Sequence, residues 1–190
     1  MASVHDAVFA ELADWRRMPE LRLTNDYHLD EAWLQALAGS VEQHWASHGR
    51  ADKLLISFHG VPQRFIRAGD PYQAQCEAGA LALAQRLGLS EGQWQMTYQS
   101  RFGREPWLQP YTDRTLEALA RDGVRTVDMV CPGFAVDCLE TLEENAVENA
   151  HLFQQAGGTA LRYIPALNAS PGHVAALAAL ARRHAQGWPD

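Results

Sequence analysis

A histidine closing an apolar run and a glutamate in the opening turn of a later helix are the residues here best suited to chemistry. His59-Gly60 ends the run that begins at Lys53, and Glu140 lies in the segment Asp137-Cys138-Leu139-Glu140. A neutral imidazole accepts a proton or ligates a metal, and an ionised carboxylate does the same. The pair therefore suits a divalent first-row ion, iron(II) included. Gly60 lets a ligand approach the backbone beside the ring. A plainer reading also stands: a histidine at a strand end can simply hydrogen-bond a nearby backbone group.

More carboxylates follow Glu140. At about 100° per residue, a helix over residues 137–155 aligns Asp137, Glu140, Glu144, Glu148 and His151 in one stripe. It sets Leu139, Leu142, Ala146, Ala150 and Phe153 on the opposite side, against a sheet. The stripe is either a solvated face, with Asp137 and Glu140 at capping-box spacing, or a ladder passing protons or cations toward a cleft. The loop over residues 98–111 carries Arg101, Arg104, Trp107 and Tyr111. Such a set holds a flat carboxylate-bearing ligand by stacking and ion pairing, or merely pins a surface loop. Spacing does not separate these alternatives.

The groups need a common edge, and alternating elements supply one. Helical spacing covers residues 4–17, with Val4, Val8, Leu12 and Trp15 on one side and Pro19 as the stop, and 21–24 reads as a short strand. Asp30 can cap a helix in which Trp33, Leu34, Leu37, Val41 and Trp45 recur. Strands are expected over 53–58, 94–98, 124–131 and 161–164, and helices over 71–87, 112–121, 137–155 and 171–184. This alternation predicts an α/β fold: a three-layer, mainly parallel sheet of four or five strands with helices on both faces, Rossmann-like. The carboxyl ends of the strands then share one edge, on which His59-Gly60, Gln99-Ser100-Arg101-Phe102-Gly103, Pro132-Gly133-Phe134 and Asn168 fall.

The 190 residues, 47% hydrophobic and 21% charged, suit a single soluble domain spanning 1–190. A net charge of −7 excludes nonspecific nucleic-acid binding. The three cysteines form no CxxC pair, so neither a disulfide framework nor a zinc knuckle is expected, and a reducing cytoplasm fits. Cys76 and Cys131 read as small buried hydrophobes, and His5, His44, His48 and His184 as solvated helix-surface residues. No stretch has the apolar length of a membrane span, and the N-terminus lacks the plan of a signal peptide.

Ordered runs of sequence carry a resemblance. They are Leu55-Ile56-Ser57-Phe58-His59-Gly60-Val61-Pro62, Gly69-Asp70-Pro71-Tyr72, Tyr98-Gln99-Ser100-Arg101-Phe102-Gly103, and Pro106-Trp107-Leu108. Pro132-Gly133-Phe134, Asp137 through Glu144, and Leu167-Asn168 complete the set. From about residue 19 to 170 the sequence resembles a ferrochelatase, closest in wording to bacterial members. That resemblance implies a lyase that inserts ferrous iron into protoporphyrin IX to give protohaem, the last step of haem biosynthesis.

Residue by residue, the resemblance implies His59 and Glu140 as catalytic and metal-holding groups. It further implies Asp137 and Glu144 as parts of a proton or metal path, and Trp107 and Phe134 as porphyrin contacts. Cys138 stands where some relatives have a second histidine, so a metal route through that side chain is not expected. No cofactor is expected to be held permanently; Fe2+ is substrate. With no cysteine beyond Cys138, the iron–sulfur cluster of some members is not expected either. The family chain resembles facing α/β halves across a porphyrin cleft, and only its C-terminal half is matched here. Residues 1–18 then correspond to the helix joining the halves. The absent N-terminal half is an implied partner, and apolar surface left bare by it offers a face for homodimerisation. Weak or absent insertion by this chain alone is expected. Rival readings are a chelatase for cobalt or nickel and another tetrapyrrole, or a non-catalytic metal- or porphyrin-binding module. A phosphate-binding flavodoxin-like domain lacks its glycine-rich loop here.

Overall fold

Apolar runs become strands here because each is followed by a helix that covers a face of the sheet. The computed structural model describes residues 2–188. Its elements are α1 (Ala2–Leu12), α2 (Glu31–His48), β1 (Lys53–His59), α3 (Gln63–Arg67), α4 (Tyr72–Arg86) and β2 (Trp94–Gln99). There follow α5 (Thr112–Arg121), β3 (Thr126–Val130), α6 (Leu139–Leu142), α7 (Ala150–Gln155), β4 (Ala160–Tyr163) and α8 (Pro171–His184). A π-helix, Glu144–Asn149, joins α6 to α7. Among the described residues the sheet has four strands, all parallel, in the order β2-β1-β3-β4. The three-layer α/β architecture is therefore present, with four strands and no fifth.

Alternation along β1 divides the core. Leu54, Ile56 and Phe58 pack with Trp33, Leu37 and Val41 of α2, Leu83 of α4 and Ala176 of α8. Leu55 faces the other way, onto Leu116 of α5, Met129 of β3 and Phe153 of α7. Each fully buried side chain of this size contributes about 1.5–3 kcal/mol. Local signals set the helix starts. The Asp30 side chain accepts from the Trp33 backbone N–H at 3.0 Å, and Pro171 opens α8 directly after its cap Ser170.

Topology creates the edge for a site. From β1 the chain runs to β2 on one side, then crosses to β3 on the other, so the crevice lies between the carboxyl ends of β1 and β3. β1 pairs with β3 only as far as Ile56 opposite Val130, and from there to His59 it is paired with β2 alone. The overhang leaves room for the turn through Gly133 and Phe134.

Several expectations are corrected. The first helix ends at Leu12, not near residue 17, and Val4 and Trp15 stay exposed; Met1 lies outside the described residues. Residues 21–24 form no strand because no neighbour pairs with them; Arg22 instead donates to the carbonyls of His184 and Gln186 at the end of α8, at 2.7 and 2.5 Å. His44 is not solvated: its side chain is 11% exposed and meets Asp128 at 3.2 Å. Cys76 and Cys131 are buried as expected.

The largest correction concerns residues 137–155, which do not form one α-helix. Cys138, not Asp137, caps α6, in a box with Thr141. The π-helix then adds a residue to the turn, with Glu148 N–H reaching the Glu143 carbonyl at 2.9 Å. Thr141, Asn145 and Asn149 consequently face the sheet, while Leu139 is 77% and Leu142 50% exposed. The physical reason is the surface beneath. Buried Ser57 and Gln99 there need hydrogen-bond partners, and leucines supply none.

Candidate functional site

His59 is the last residue of β1 and half-buried. Its Nδ1 lies 2.6 Å from the Gly60 carbonyl oxygen. A carbonyl only accepts, so in the neutral ring the proton sits on Nδ1 and the lone pair on Nε2. The ring lies between Trp107 and Phe134, with centroids 6.4 and 6.3 Å away. Tyr72 Oη donates to the His59 carbonyl at 2.9 Å and fixes the backbone below. Gly60 admits no side chain: a Cβ would stand 2.9 Å from the Gln99 carbonyl oxygen and 3.2 Å from the Trp107 ring.

Glu140 reaches the same rim from the first turn of α6. Hydrogen bonding from Cys138 and from its own backbone N–H holds its carboxyl below the usual range. The carboxylate is thus ionised next to an imidazole with a free lone pair. Its main chain is gripped as well: the Glu140 carbonyl accepts from Gln99 Nε2 at 2.7 Å and from Asn145 Nδ2 at 2.9 Å. Among the described residues no three His, Cys, Asp or Glu side chains form a metal-holding group.

The other carboxylates do not continue one stripe with Glu140. Asp137 turns back to the end of β4. It accepts from Tyr163 Oη at 2.8 Å, the Ala166 N–H at 3.1 Å and Asn168 Nδ2 at 2.7 Å. Burial opposes ionisation there, but the bonds from Asn168, Ala166, Tyr163 and Thr141 outweigh it and hold the carboxyl below its ordinary value. Glu144 braces the turn after β2, taking the Ser100 N–H at 2.7 Å and hydroxyl at 2.5 Å where Ser100 adopts φ 64°. Together with Glu148, Asp113 and Asn149 it lines a cavity of about 290 Å³ that neither His59 nor Glu140 enters.

The loop after β2 is pinned. Arg101 binds Asp113 through both nitrogens, at 2.6 and 2.7 Å, and lies over Tyr111, so its fork is taken. Trp107 is only 5% exposed and packs beside Gly60, a wall more than a platform. Phe102, its centroid 4.9 Å from Trp107 and 72% exposed, presents the open aromatic face instead. Reasoning from sequence set Gln99 and Phe102 on this edge without giving either a role, and it missed Asn145. For Gln99 a signal existed, an amide closing an apolar strand, whereas Asn145 was hidden by assuming α-helical spacing through the π-helix.

A sequence model of one family, described as Ferrochelatase, matches residues 1–185. The chain belongs to the ferrochelatase family. It is 55% identical over 188 residues to a ferrochelatase of Thioalkalivibrio sulfidiphilus, which covers 99% of this chain and 51% of that relative. A ferrochelatase of Nitrosococcus oceani is 54% identical with the same coverage, and ferrochelatase 1 of Shewanella oneidensis is 50% identical over 99% of this chain and 56% of the relative. The chain thus spans about half the length of the curated ferrochelatases it matches. No helix among the described residues is long and apolar enough to cross a membrane.

Proposed function

We propose that the chain is the carboxyl-terminal half of a ferrochelatase, a lyase that inserts ferrous iron into protoporphyrin IX to form protohaem, the last step of haem biosynthesis. The observation that carries this reading is the pairing, on one rim, of a histidine whose Nε2 keeps its lone pair with an ionised glutamate. Insertion breaks two pyrrole N–H bonds and forms metal–nitrogen bonds in their place, releasing two protons. His59 Nε2 accepts a pyrrole proton. Glu140 holds the ion on its way in. A two-donor set suits an ion that must be handed on, since resident metal sites use three or four protein ligands.

Phe134 and Phe102 supply apolar surface for a flat macrocycle, with Trp107 backing the wall behind His59. Protons leave by way of Glu148 in the open cavity beside β2, whose wall Glu144 braces with its oxygens taken by Ser100. Asp137, its oxygens occupied, holds the start of α6 in place more than it conducts. The other wall of the cleft comes from the half of the protein that this chain does not span, and the exposed Leu139 and Leu142 belong to that meeting. A second copy is the weaker candidate for that surface. On this reading the enzyme keeps no resident cofactor, takes porphyrin and ferrous iron as substrates, and works in the cytoplasm.

A chimaera tests it. This chain replaces the matching span of the T. sulfidiphilus relative, and Zn2+ insertion into a porphyrin is followed by absorbance. The chimaera is expected to turn over, the isolated chain weakly or not at all, and His59→Ala to lower the rate by about 10²–10⁴-fold. A folded but inert chimaera, or near-normal turnover by His59→Ala, would reject the proposal.

A further inference from the structure

One buried side chain touches the framework of both members of the pair. Gln99 is 2% exposed, closes β2 and lies opposite His59 in the sheet register. Its backbone carbonyl accepts from the Gly60 N–H at 2.8 Å, fixing the turn whose carbonyl orients the His59 ring. Its side chain reaches the other way, with Nε2 donating to the Glu140 carbonyl at 2.7 Å. Oε1 accepts from Ser57 Oγ and Asn145 Nδ2, each at 2.8 Å. Asn145 in turn donates to the same Glu140 carbonyl and receives Asn149 Nδ2 at 2.8 Å.

We infer that Gln99 is a positioning residue: it sets the separation of Glu140 from His59 by clamping the π-helical segment to the end of β1. The inference rests on the proposed insertion reaction. The geometry supports a clamp over simple core filling. The amide's capacity is fully used, since its second Nε2 hydrogen reaches Glu144 Oε2 at 3.4 Å, and a buried amide whose bonds are all made is rigid because any shift strands a polar group. Its partners include the carbonyl of one functional residue, Glu140, and the N–H of Gly60 next to the other. It touches no substrate. A displacement of Glu140 by about 1 Å costs on the order of 10²-fold in rate.

The test uses the chimaera. Gln99→Met removes the amide at similar volume, and Gln99→Glu keeps the acceptor for Ser57 while replacing the donor to the Glu140 carbonyl. Both are expected to lower kcat roughly 10–100-fold, with porphyrin KM within about twofold because the side chain is buried. Thr112→Val, which trims a hydroxyl of the same polar cluster without touching Glu140 or Gly60, keeps kcat. In a Glu140→Gln background, Gln99→Met is expected to cost less than about twofold more, because its effect runs through Glu140. Multiplying losses, or a Gln99→Met kcat within about twofold of the parent, would overturn the inference. A readout without turnover separates it from the reaction itself. In the chain alone, Zn2+ titration followed by the His59 ring resonances should weaken about tenfold in Gln99→Met, and unchanged affinity would overturn the inference. Weakened binding with an inert parent chimaera would sink only the insertion reading.

Discussion

Two buried polar clusters occupy opposite ends of the same sheet, and they differ in what they leave unused. Near the amino ends of the strands, the Asp128 side chain, 1% exposed, receives Trp45 Nε1 at 2.8 Å and Arg162 Nε and Nη2 at 2.7 and 2.9 Å. His44 Nε2 and the Ala51 N–H stand at 3.2 Å, and Arg162 also closes on the carbonyls of His48 and Gly49. Every group there is engaged with another part of the fold. At the carboxyl ends, the Gln99 cluster is equally saturated inside, yet it terminates in groups with capacity left over. His59 Nε2 finds no hydrogen-bond partner among the described residues, and Glu140 keeps its carboxylate at the surface. A buried polar network by itself therefore marks nothing but a need for satisfaction. The unspent lone pairs at its margin distinguish the site from the clasp.

That contrast breaks first at Asp128. Asp128→Ala strands Arg162 and the Trp45 N–H and should lower unfolding free energy by about 3 kcal/mol or more, measured by urea titration. His59→Ala should stay within about 1 kcal/mol of the parent. Equal losses would erase the distinction between clasp and site. Gly60→Ala probes the tight packing under His59. A Cβ 2.9 Å from the Gln99 carbonyl forces β1 and β2 apart, and a loss of about 1–3 kcal/mol is expected by thermal unfolding.

The smallest effect is a pH dependence at Asp137. Its folded carboxyl lies below the usual range, so in acid the unfolded chain binds the proton more readily and stability rises with pH. The contribution is complete above the unfolded aspartate value of about 3.9 and disappears as pH falls through the lower folded value. Asp137→Asn should flatten this acid limb in urea titrations from pH 6 downward. An unchanged limb would remove Asp137 from its bracing role.

Much of the scaffold was legible because hydrophobic periodicity determined it. α5 and α8 fall at the expected residues, and the four strands of the sheet differ from expectation only at their ends, since apolar runs bounded by Gly, Pro and polar turns admit few alternatives. That His59 ends β1 and Glu140 lies in the first turn of α6 was legible for the same reason. Residues 137–155 were not. Their pattern of leucines suits an α-helix packed on an apolar sheet, but the sheet there is polar, and a cross-chain requirement for amides shifts the turn by one residue. The segment 21–24 failed for want of a neighbour, which local sequence does not reveal. Trp107 is buried because the glycine at 60 opens a slot that the indole fills, a contact between distant segments that local sequence does not reveal.

The central claim is that His59, through Nε2, and Glu140 serve one metal ion. A crystal structure of the chimaera soaked with Zn2+ tests it most directly. The ion should lie about 2.0–2.2 Å from both His59 Nε2 and a Glu140 oxygen, with the Nδ1 bond to the Gly60 carbonyl intact. An ion bound through Nδ1, or held at Glu144 and Glu148 with His59 left bare, would contradict it.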